Sequence, residues 1–246
     1  MKNIIRSLML GMAFNLLVFS LHAISVTQKR VMPSFNSVTN ESPLKISYAQ
    51  SNEYKVFINM EERLVQGLKT EVRDDMLYIS LDEMLVPNKD EKYVILVYAP
   101  VLVEAHNAGL GGLSLGDLTG TLLLIDNSGG GSVDFAFARY NAVDAYTSIH
   151  VNNRGNGSVT GECYVNELKI ENKGAGAVEL KGSTQELKIS CVGVGNVDAL
   201  ELTAQRAIVS LVGTGRIVAT VTGIAKVQRR GHGVVNIFGD ATIIQE

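Results

Sequence analysis

The chain of 246 residues carries 25 acidic and 22 basic side chains, and a net charge of −3 gives no reason to expect nucleic acid or anionic lipid as a partner. Its hydrophobic content of 46 % is ordinary for a globular protein, whereas 24 glycines beside 4 prolines and no tryptophan are unusual. All four prolines lie at or before residue 100, so the remainder lacks the residue that most disrupts a β-ladder.

The first 23 residues have the pattern of a secretory signal peptide. Lys2 and Arg6 form a positive start, an apolar run extends from Leu8 to Leu21, and Ala23 offers a small residue for cleavage. A retained membrane anchor is the alternative, but a span needs about 20 apolar residues and this run is shorter. We therefore expect an exported protein of the periplasm, the cell envelope or the extracellular space.

The next part of the chain divides into a linker and a strand-rich segment. Residues 24–43 have no sustained hydrophobic period and are rich in Ser, Thr and Asn, which indicates a linker. Residues 44–100 are expected to form an N-terminal cap region. A helix is predicted over residues 61–72 from the spacing of its apolar side chains, and alternating patterns predict four strands, at residues 44–48, 54–58, 77–81 and 93–98.

From residue 101 onward a Gly-x-Gly turn recurs and marks a repeat architecture. Most successive copies lie 18–20 residues apart, and one interval is 26 residues. The first glycines of the seven copies are Gly109, Gly129, Gly155, Gly174, Gly193, Gly213 and Gly231. Counted from these glycines, positions −6, −4 and +4 are apolar in every copy, and the positions between them are mostly polar or mixed. This alternation predicts a half-buried strand on each side of a fixed turn.

Short strands that return with the same phase bury their apolar faces by stacking one coil on the next. The sequence therefore predicts an all-β fold, a single-stranded parallel β-helix or β-solenoid within residues 44–246, with about seven coils spaced by about 4.8 Å. The glycines are expected at the corners, where the chain needs positive φ or a close approach of backbones.

Position −2 adds a second repeated feature. It is asparagine in the first four copies and then changes to Cys191, Leu211 and Arg229. Stacked asparagines beside a corner predict an amide ladder, in which each side chain bonds to the next. The four predicted members are Asn107, Asn127, Asn153 and Asn172.

Several segments resemble the head GIN domain family, which is common in exported bacterial proteins and is described as a family of auto-transporter adhesins. The segments are residues 64–72, 77–79, 98–104, 193–202 and 238–243. The resemblance covers roughly residues 44–246 and implies an exported β-solenoid with an adhesin function. It implies no catalytic residues, because none are established for the family.

Outward carboxylates are the sequence feature closest to an enzymatic site. Position +5 carries Asp134, Glu179 and Asp198, and the last two lie one coil apart. One coil is about 5 Å, which is near the separation of the two carboxylates in a retaining glycosidase. The alternative is a solvated face on which Lys169, Lys181 and Lys188 neutralise the acids. A likeness of fold does not by itself establish catalysis.

The histidines and cysteines indicate neither a metal site nor a disulfide. His106, His150 and His232 occupy offsets −3, −5 and +1 on different coils, so they share no face. Cys163 at +8 and Cys191 at −2 lie on different sides of the coil, whereas a disulfide needs Cα atoms within about 7 Å. We expect two independent thiols, the first in the core and the second in place of a ladder asparagine. No cofactor is indicated.

Two further segments are candidates for contacts with partners. The interval of 26 residues contains a predicted loop of about six extra residues, and Tyr140 and Tyr146 beside it are the best binding candidates, because loops on rigid scaffolds often carry function. A tolerated insertion is the alternative. The last coil presents Phe238, Ile243 and Ile244 with little charge nearby, which predicts a weak self-association through that coil.

Three functional hypotheses follow. The first is an exported, non-enzymatic module that binds a surface, glycan or protein ligand along one face. The second is a β-helix enzyme that cleaves polysaccharide with the outward acids. The third is a structural module of the periplasm without a ligand of its own.

Overall fold

The computed structural model describes residues 25–88, 91–116, 118–136 and 147–245. Within them lie 18 strands and one short helix. In chain order they are β1 (Ser25–Val31), β2 (Ser37–Asn40), β3 (Lys45–Gln50), β4 (Lys55–Glu61), α1 (Glu62–Gly67), β5 (Leu68–Arg73), β6 (Met76–Leu81), β7 (Val94–Ala99), β8 (Glu104–Asn107), β9 (Gly112–Leu115), β10 (Leu122–Asn127), β11 (Val133–Ala136), β12 (Ser148–Asn153), β13 (Val159–Asn172), β14 (Ala177–Gly193), β15 (Asn196–Gly213), β16 (Arg216–Arg230), β17 (Val234–Phe238) and β18 (Thr242–Gln245).

The strands form one sheet that winds into a parallel solenoid, which confirms the predicted fold class. Ahead of the corners, β8, β10, β12 and the second half of β13 stack in parallel. Beyond the corners, β9, β11 and the first half of β13 do the same. From β13 to β16 each coil is one long strand on the next, and β17 and β18 close the stack on β16.

The repeat phase deduced from the glycines matches the observed register. The residues at +4 pair consecutively from Leu113 to Val235, and those at −4 pair consecutively from Ala105 to Val227. Nearly all of them are buried in one core. Two apolar repeat positions depart from this: Val235 in the last coil is half-buried, and Val103 at −6 of the first coil is exposed while Leu102 is buried. The strand begins only at Glu104, so the alternation has not yet started at this point.

Residues 25–43, for which the sequence predicts a linker, contribute two strands instead. β1 pairs antiparallel with β4, and β2 lies between β6 and β8 with Phe35 and Val38 in the core. β2 and β3 form a further coil in register with the first glycine corner, although Ser42 stands where the later coils have glycine. The period is hidden in the sequence because β4 to β7 are inserted before the next coil.

The predicted helix is shorter than its apolar spacing indicates. α1 ends at Gly67, and the residues that follow form β5, antiparallel to β6. Asp74 and Asp75 have φ of 50° and 60°, as a tight hairpin turn requires, and Thr70 and Val72 are β-branched. Strand pairing through this hairpin outweighs the helical spacing. Within the described residues, no helix has the length and apolar character of a membrane span.

Candidate functional site: the grooves beside the glycine corners

The four predicted asparagines form a buried amide ladder along the corners. Asn107 Nδ2 donates to Asn127 Oδ1 at 3.0 Å, and Asn127 Nδ2 donates to Asn153 Oδ1 at 3.1 Å. Asn153 Nδ2 continues the series to Asn172 Oδ1 at 3.3 Å. Each amide also donates to the carbonyl of the second glycine of its own corner, so the ladder holds coils together and closes each turn.

Asn40 is a fifth member that sequence analysis missed. Its Nδ2 donates to Asn107 Oδ1 at 3.2 Å, and its Oδ1 accepts hydrogen bonds from the backbone N–H and the hydroxyl of Ser42. A signal was present in the sequence, because Val38 and Ile46 occupy positions −4 and +4 of the same phase. The absence of a glycine at Ser42 concealed it.

The ladder ends where Cys191 follows Asn172 in register. Cys191 Sγ donates to Gly195 O at 3.2 Å, the same contact within the corner that an asparagine makes in the earlier coils. The replacement of a ladder amide by a thiol therefore preserves the bond inside the turn and gives up the bond to the next coil.

The corner glycines meet two different requirements. Gly193, Gly213 and Gly231 have φ of 108°, 129° and 110°, in the region that glycine adopts without steric cost. The first glycines of the four earlier corners do not have positive φ. There, a Cβ on Gly129 would collide with the carbonyl oxygen of Gly109 one coil away, and the next two corners repeat this close approach.

Three shallow grooves adjoin one another beside the corners. The first has a volume of about 640 Å³ and lies over the glycines of three corners, between Tyr93, Leu110 and Lys45. The second, of about 500 Å³, follows the +5 side chains past Asp134. The third, of about 290 Å³, shares Ala177 with the first and Glu179 with the second.

The three outward acids belong to one row of this surface. Asp134, Thr160, Glu179 and Asp198 are consecutive partners in the strand register, so the structure brings Glu179 and Asp198 to neighbouring coils. Thr160 separates Asp134 from that pair. All of these side chains project outward into the second or third groove.

The acids have different partners. Asp134 accepts hydrogen bonds from Lys45 Nζ, at 2.8 Å, and from the Ser114 hydroxyl. Glu179 lies 3.9 Å from Lys181 Nζ, while Lys181 makes the closer ion pair with Glu201. The other two lysines expected to neutralise the row, at positions 169 and 188, pair elsewhere, with Glu171 and Glu167.

Two groove residues were not found from the sequence. Tyr93 belongs to the cap, outside the repeat, and its hydroxyl accepts a hydrogen bond from the Lys45 backbone N–H at 3.1 Å. Arg216 lines the third groove at position +3, where the earlier coils carry small or amide side chains. The charge at +3 was a usable signal, whereas the position of Tyr93 depends on the fold of the cap.

The histidines are not brought together. His106 Nε2 lies 2.8 Å from the Ser128 hydroxyl and 3.7 Å from Asp126, whose carboxylate also pairs with Arg154. His150 lies in register with Lys169, and His232 is an exposed turn residue. Among the described residues, no group of three or more His, Cys, Asp or Glu side chains is arranged to hold a metal ion. The predicted binding tyrosines, Tyr140 and Tyr146, lie outside the described residues.

Both thiols are free and buried, and burial raises the pKa of each, that of Cys163 to about 12. Only the thiolate is an effective nucleophile. We therefore expect neither thiol of the folded protein to react with iodoacetamide at pH 8 within an hour, and both to react in 6 M guanidinium chloride. Mass spectrometry of the labelled protein measures this, and rapid labelling of Cys191 in the folded protein would show that the corner opens.

The sequence also matches a known protein family over most of its length. Residues 34–241 match the model of a family described as "Putative auto-transporter adhesin, head GIN domain". The chain belongs to the head GIN domain family. No curated protein sequence matches the chain.

Several solved bacterial structures have a similar fold. One described as a putative adhesin from Parabacteroides distasonis has a TM-score of 0.75 and 19 % identity, over 92 % of this chain and 94 % of its own. A putative adhesin from Bacteroides fragilis has a TM-score of 0.59 and 22 % identity, over 91 % and 97 %. A putative lipid binding protein from Parabacteroides distasonis has a TM-score of 0.64 and 18 % identity, over 92 % and 98 %. At identities of 18–22 %, the similarity to these structures shows a shared fold alone.

Proposed function

We propose that this head GIN protein is an exported, non-enzymatic binding module of the bacterial cell envelope that holds a linear, neutral glycan in the grooves beside its corners. The observation that carries the proposal is the row of polar side chains in register along adjoining grooves. A polymer of hydroxyl-rich units can meet one such side chain at each coil, since the coils repeat at about 4.8 Å.

The chemistry of the lining suits sugar hydroxyl groups. Glu179 and Asp198 supply acceptors, Arg216 supplies donors, and Tyr93 offers part of a ring face at one end. The glycine corners allow a ligand to approach the backbone without obstruction by side chains. The scaffold is held by the buried ladder, and a preorganised surface loses little entropy on binding. The adhesin description of the family supports a surface ligand.

The test uses a panel of soluble neutral polysaccharides, namely dextran, mannan, xylan and galactomannan, with binding followed by isothermal titration calorimetry. We expect the wild-type protein to bind at least one of them and the Glu179→Gln, Asp198→Asn double variant to bind it at least tenfold more weakly. The matched control is the Glu62→Gln, Glu71→Gln double variant, which removes the same charge from exposed positions on the cap. Unchanged affinity in the groove variant would refute the proposed site.

The second candidate is a polysaccharide-cleaving enzyme, which the adjacent positions of Glu179 and Asp198 favour. Release of reducing ends from the same polysaccharides, abolished in the groove variant and retained in the cap variant, would establish it in place of the binding module. A protein that neither binds nor cleaves any member of the panel would favour the structural hypothesis. Fractionation of cells would show whether the protein is exported.

A further inference from the structure

A different concave surface lies on the strand segments that precede the corners in the last coils. It is a groove of about 270 Å³ lined mainly by carbon atoms. Ile208 and Ile224 lie along it and are 52 % and 45 % exposed. Each isoleucine belongs to an outward row of residues that pair in register from coil to coil. One row consists of Lys188, Ile208, Lys226 and Ile244, and the next consists of Glu186, Arg206 and Ile224.

The isoleucines break the polar pattern of the three coils before them. In those coils the row of Ile208 contains His150, Lys169 and Lys188, and the row of Ile224 contains Ser148, Glu167 and Glu186; one coil earlier still, the two rows contain Leu124 and Leu122. Single exposed apolar residues are common, but three β-branched aliphatic side chains on adjoining coils form a patch. Core packing does not account for them, because they are on the outer face.

A local irregularity of the strands brings this patch together. The register shifts between β15 and β16. The chain advances by two residues in β15, from Ala204 to Arg206, while it advances by three in β16, from Val221 to Ile224. The extra residue sets Ile224 beside Arg206 in the outward row. Such bulges re-aim side chains and commonly lie near functional surfaces.

The charges around the groove single out one cation. Lys188 pairs with Glu167 at 2.9 Å, and Arg206 pairs with Glu186 at 2.9 Å. No acidic side chain of the described residues lies within ion-pair distance of Lys226, which stands in the same row between Ile208 and Ile244. The groove therefore combines an aliphatic lining with an ammonium group that has no ion-pair partner in the part of the chain that the structure describes.

We propose that this groove binds an anionic amphiphile of the fatty-acid type, with the carboxylate on Lys226 and the alkyl chain across Ile208 and Ile224. The net charge of the whole chain is negative, but the groove itself carries three cations and one carboxylate. This site lies on a different strand segment from the glycan grooves and shares no lining residue with them.

The probes are hexanoate, octanoate and decanoate below their micellar concentrations, with affinity measured by NMR titration of the full chain. We expect affinity to rise with chain length by about two- to fourfold per methylene, the upper figure corresponding to complete removal from water. Decylammonium, which has the same number of carbon atoms and the opposite charge, is expected to bind at least tenfold more weakly than decanoate.

Two outward substitutions test the named contacts. Ile208→Thr keeps a β-branched residue in the strand, and Lys226→Gln keeps a long polar side chain; each is expected to weaken decanoate binding at least fivefold. The matched controls, Leu200→Thr and Lys69→Gln, alter exposed positions away from the groove and are expected to change it less than twofold. Thermal unfolding of all four variants verifies that the fold is retained.

Three results would overturn the proposal. They are equal affinity for decylammonium and decanoate, unchanged decanoate binding in both groove variants, and absence of binding together with a dimer that Ile208→Thr dissociates. The last result would identify a second copy of the chain as the occupant of the patch. The Glu179→Gln, Asp198→Asn variant is expected to bind decanoate normally, so failure of the glycan proposal is distinguishable from failure of this one.

Discussion

Replacement of Asn127 by leucine is expected to lower the free energy of unfolding by about 3–5 kcal/mol, one of the two largest effects that we predict. Asn127 accepts from Asn107 and donates both to Asn153 and to Gly131 O. Leucine would leave a buried N–H and two buried oxygen atoms without these partners, and each unsatisfied group costs about 1–3 kcal/mol before relaxation. Urea denaturation followed by circular dichroism measures the change.

The matched control for this substitution is Asn166→Leu, at an exposed position of β13. It introduces the same side chain outside the ladder and is expected to change stability by no more than about 0.5 kcal/mol. Leucine itself is compatible with a corner, since Leu211 occupies the equivalent position two coils beyond the last asparagine. A loss below about 1 kcal/mol for Asn127→Leu would therefore show that the amides contribute little beyond filling space.

The Gly131→Ala variant is expected to be destabilised by about 3 kcal/mol, because overpacking of a rigid site commonly costs 1–3 kcal/mol and here the obstruction is backbone. The added Cβ would collide with the carbonyl oxygen of Gly111, which is held in the neighbouring coil. Relief requires two coils to separate at the corner. The midpoint of urea unfolding provides the measurement.

Two alanine variants separate close approach from backbone conformation. Gly130→Ala, in the same turn, places its Cβ 3.1 Å from the side-chain atom Leu110 Cδ2, which can move, so we expect a small effect. Gly193 has φ of 108° but open space around its Cβ position, so Gly193→Ala is expected to cost only about 1–2 kcal/mol of conformational strain. If Gly131→Ala were no worse than Gly193→Ala, crowding between coils would not explain the glycine repeat.

The solenoid could be predicted from the sequence because each coil repeats one local rule. Apolar residues at fixed offsets from a glycine determine which face is buried, and the register of Val133 on Val159 or Ile125 on Val151 follows from that phase alone. The cap does not repeat, and its pairings depend on contacts between segments distant in sequence. The strand β1 and the short extent of α1 therefore required the structure.

The candidate site was predictable only where it follows the repeat. The row of Asp134, Glu179 and Asp198 could be placed on one face from the offset of +5, and the ladder from the offset of −2. The positions of Tyr93 and Lys45 beside the same grooves could not, because both belong to segments that join the repeat through tertiary contacts. Asn40 lies between these two cases. The apolar residues around it follow the spacing of the repeat, but its corner has no glycine to mark it.

The ladder also gives the solenoid an electrical direction. From Asn40 to Asn172, every amide nitrogen donates towards a later coil, and the amide oxygens of the last four asparagines accept from the coil before. Five parallel amide dipoles therefore add along the axis, and hydrogen bonds in such a chain polarise one another. Ser42 donates to the first oxygen, and the Asn196 carbonyl accepts from the last amide, so both ends of this aligned series are satisfied. The stacked coils thus have a polarity that their apolar core alone would not impose.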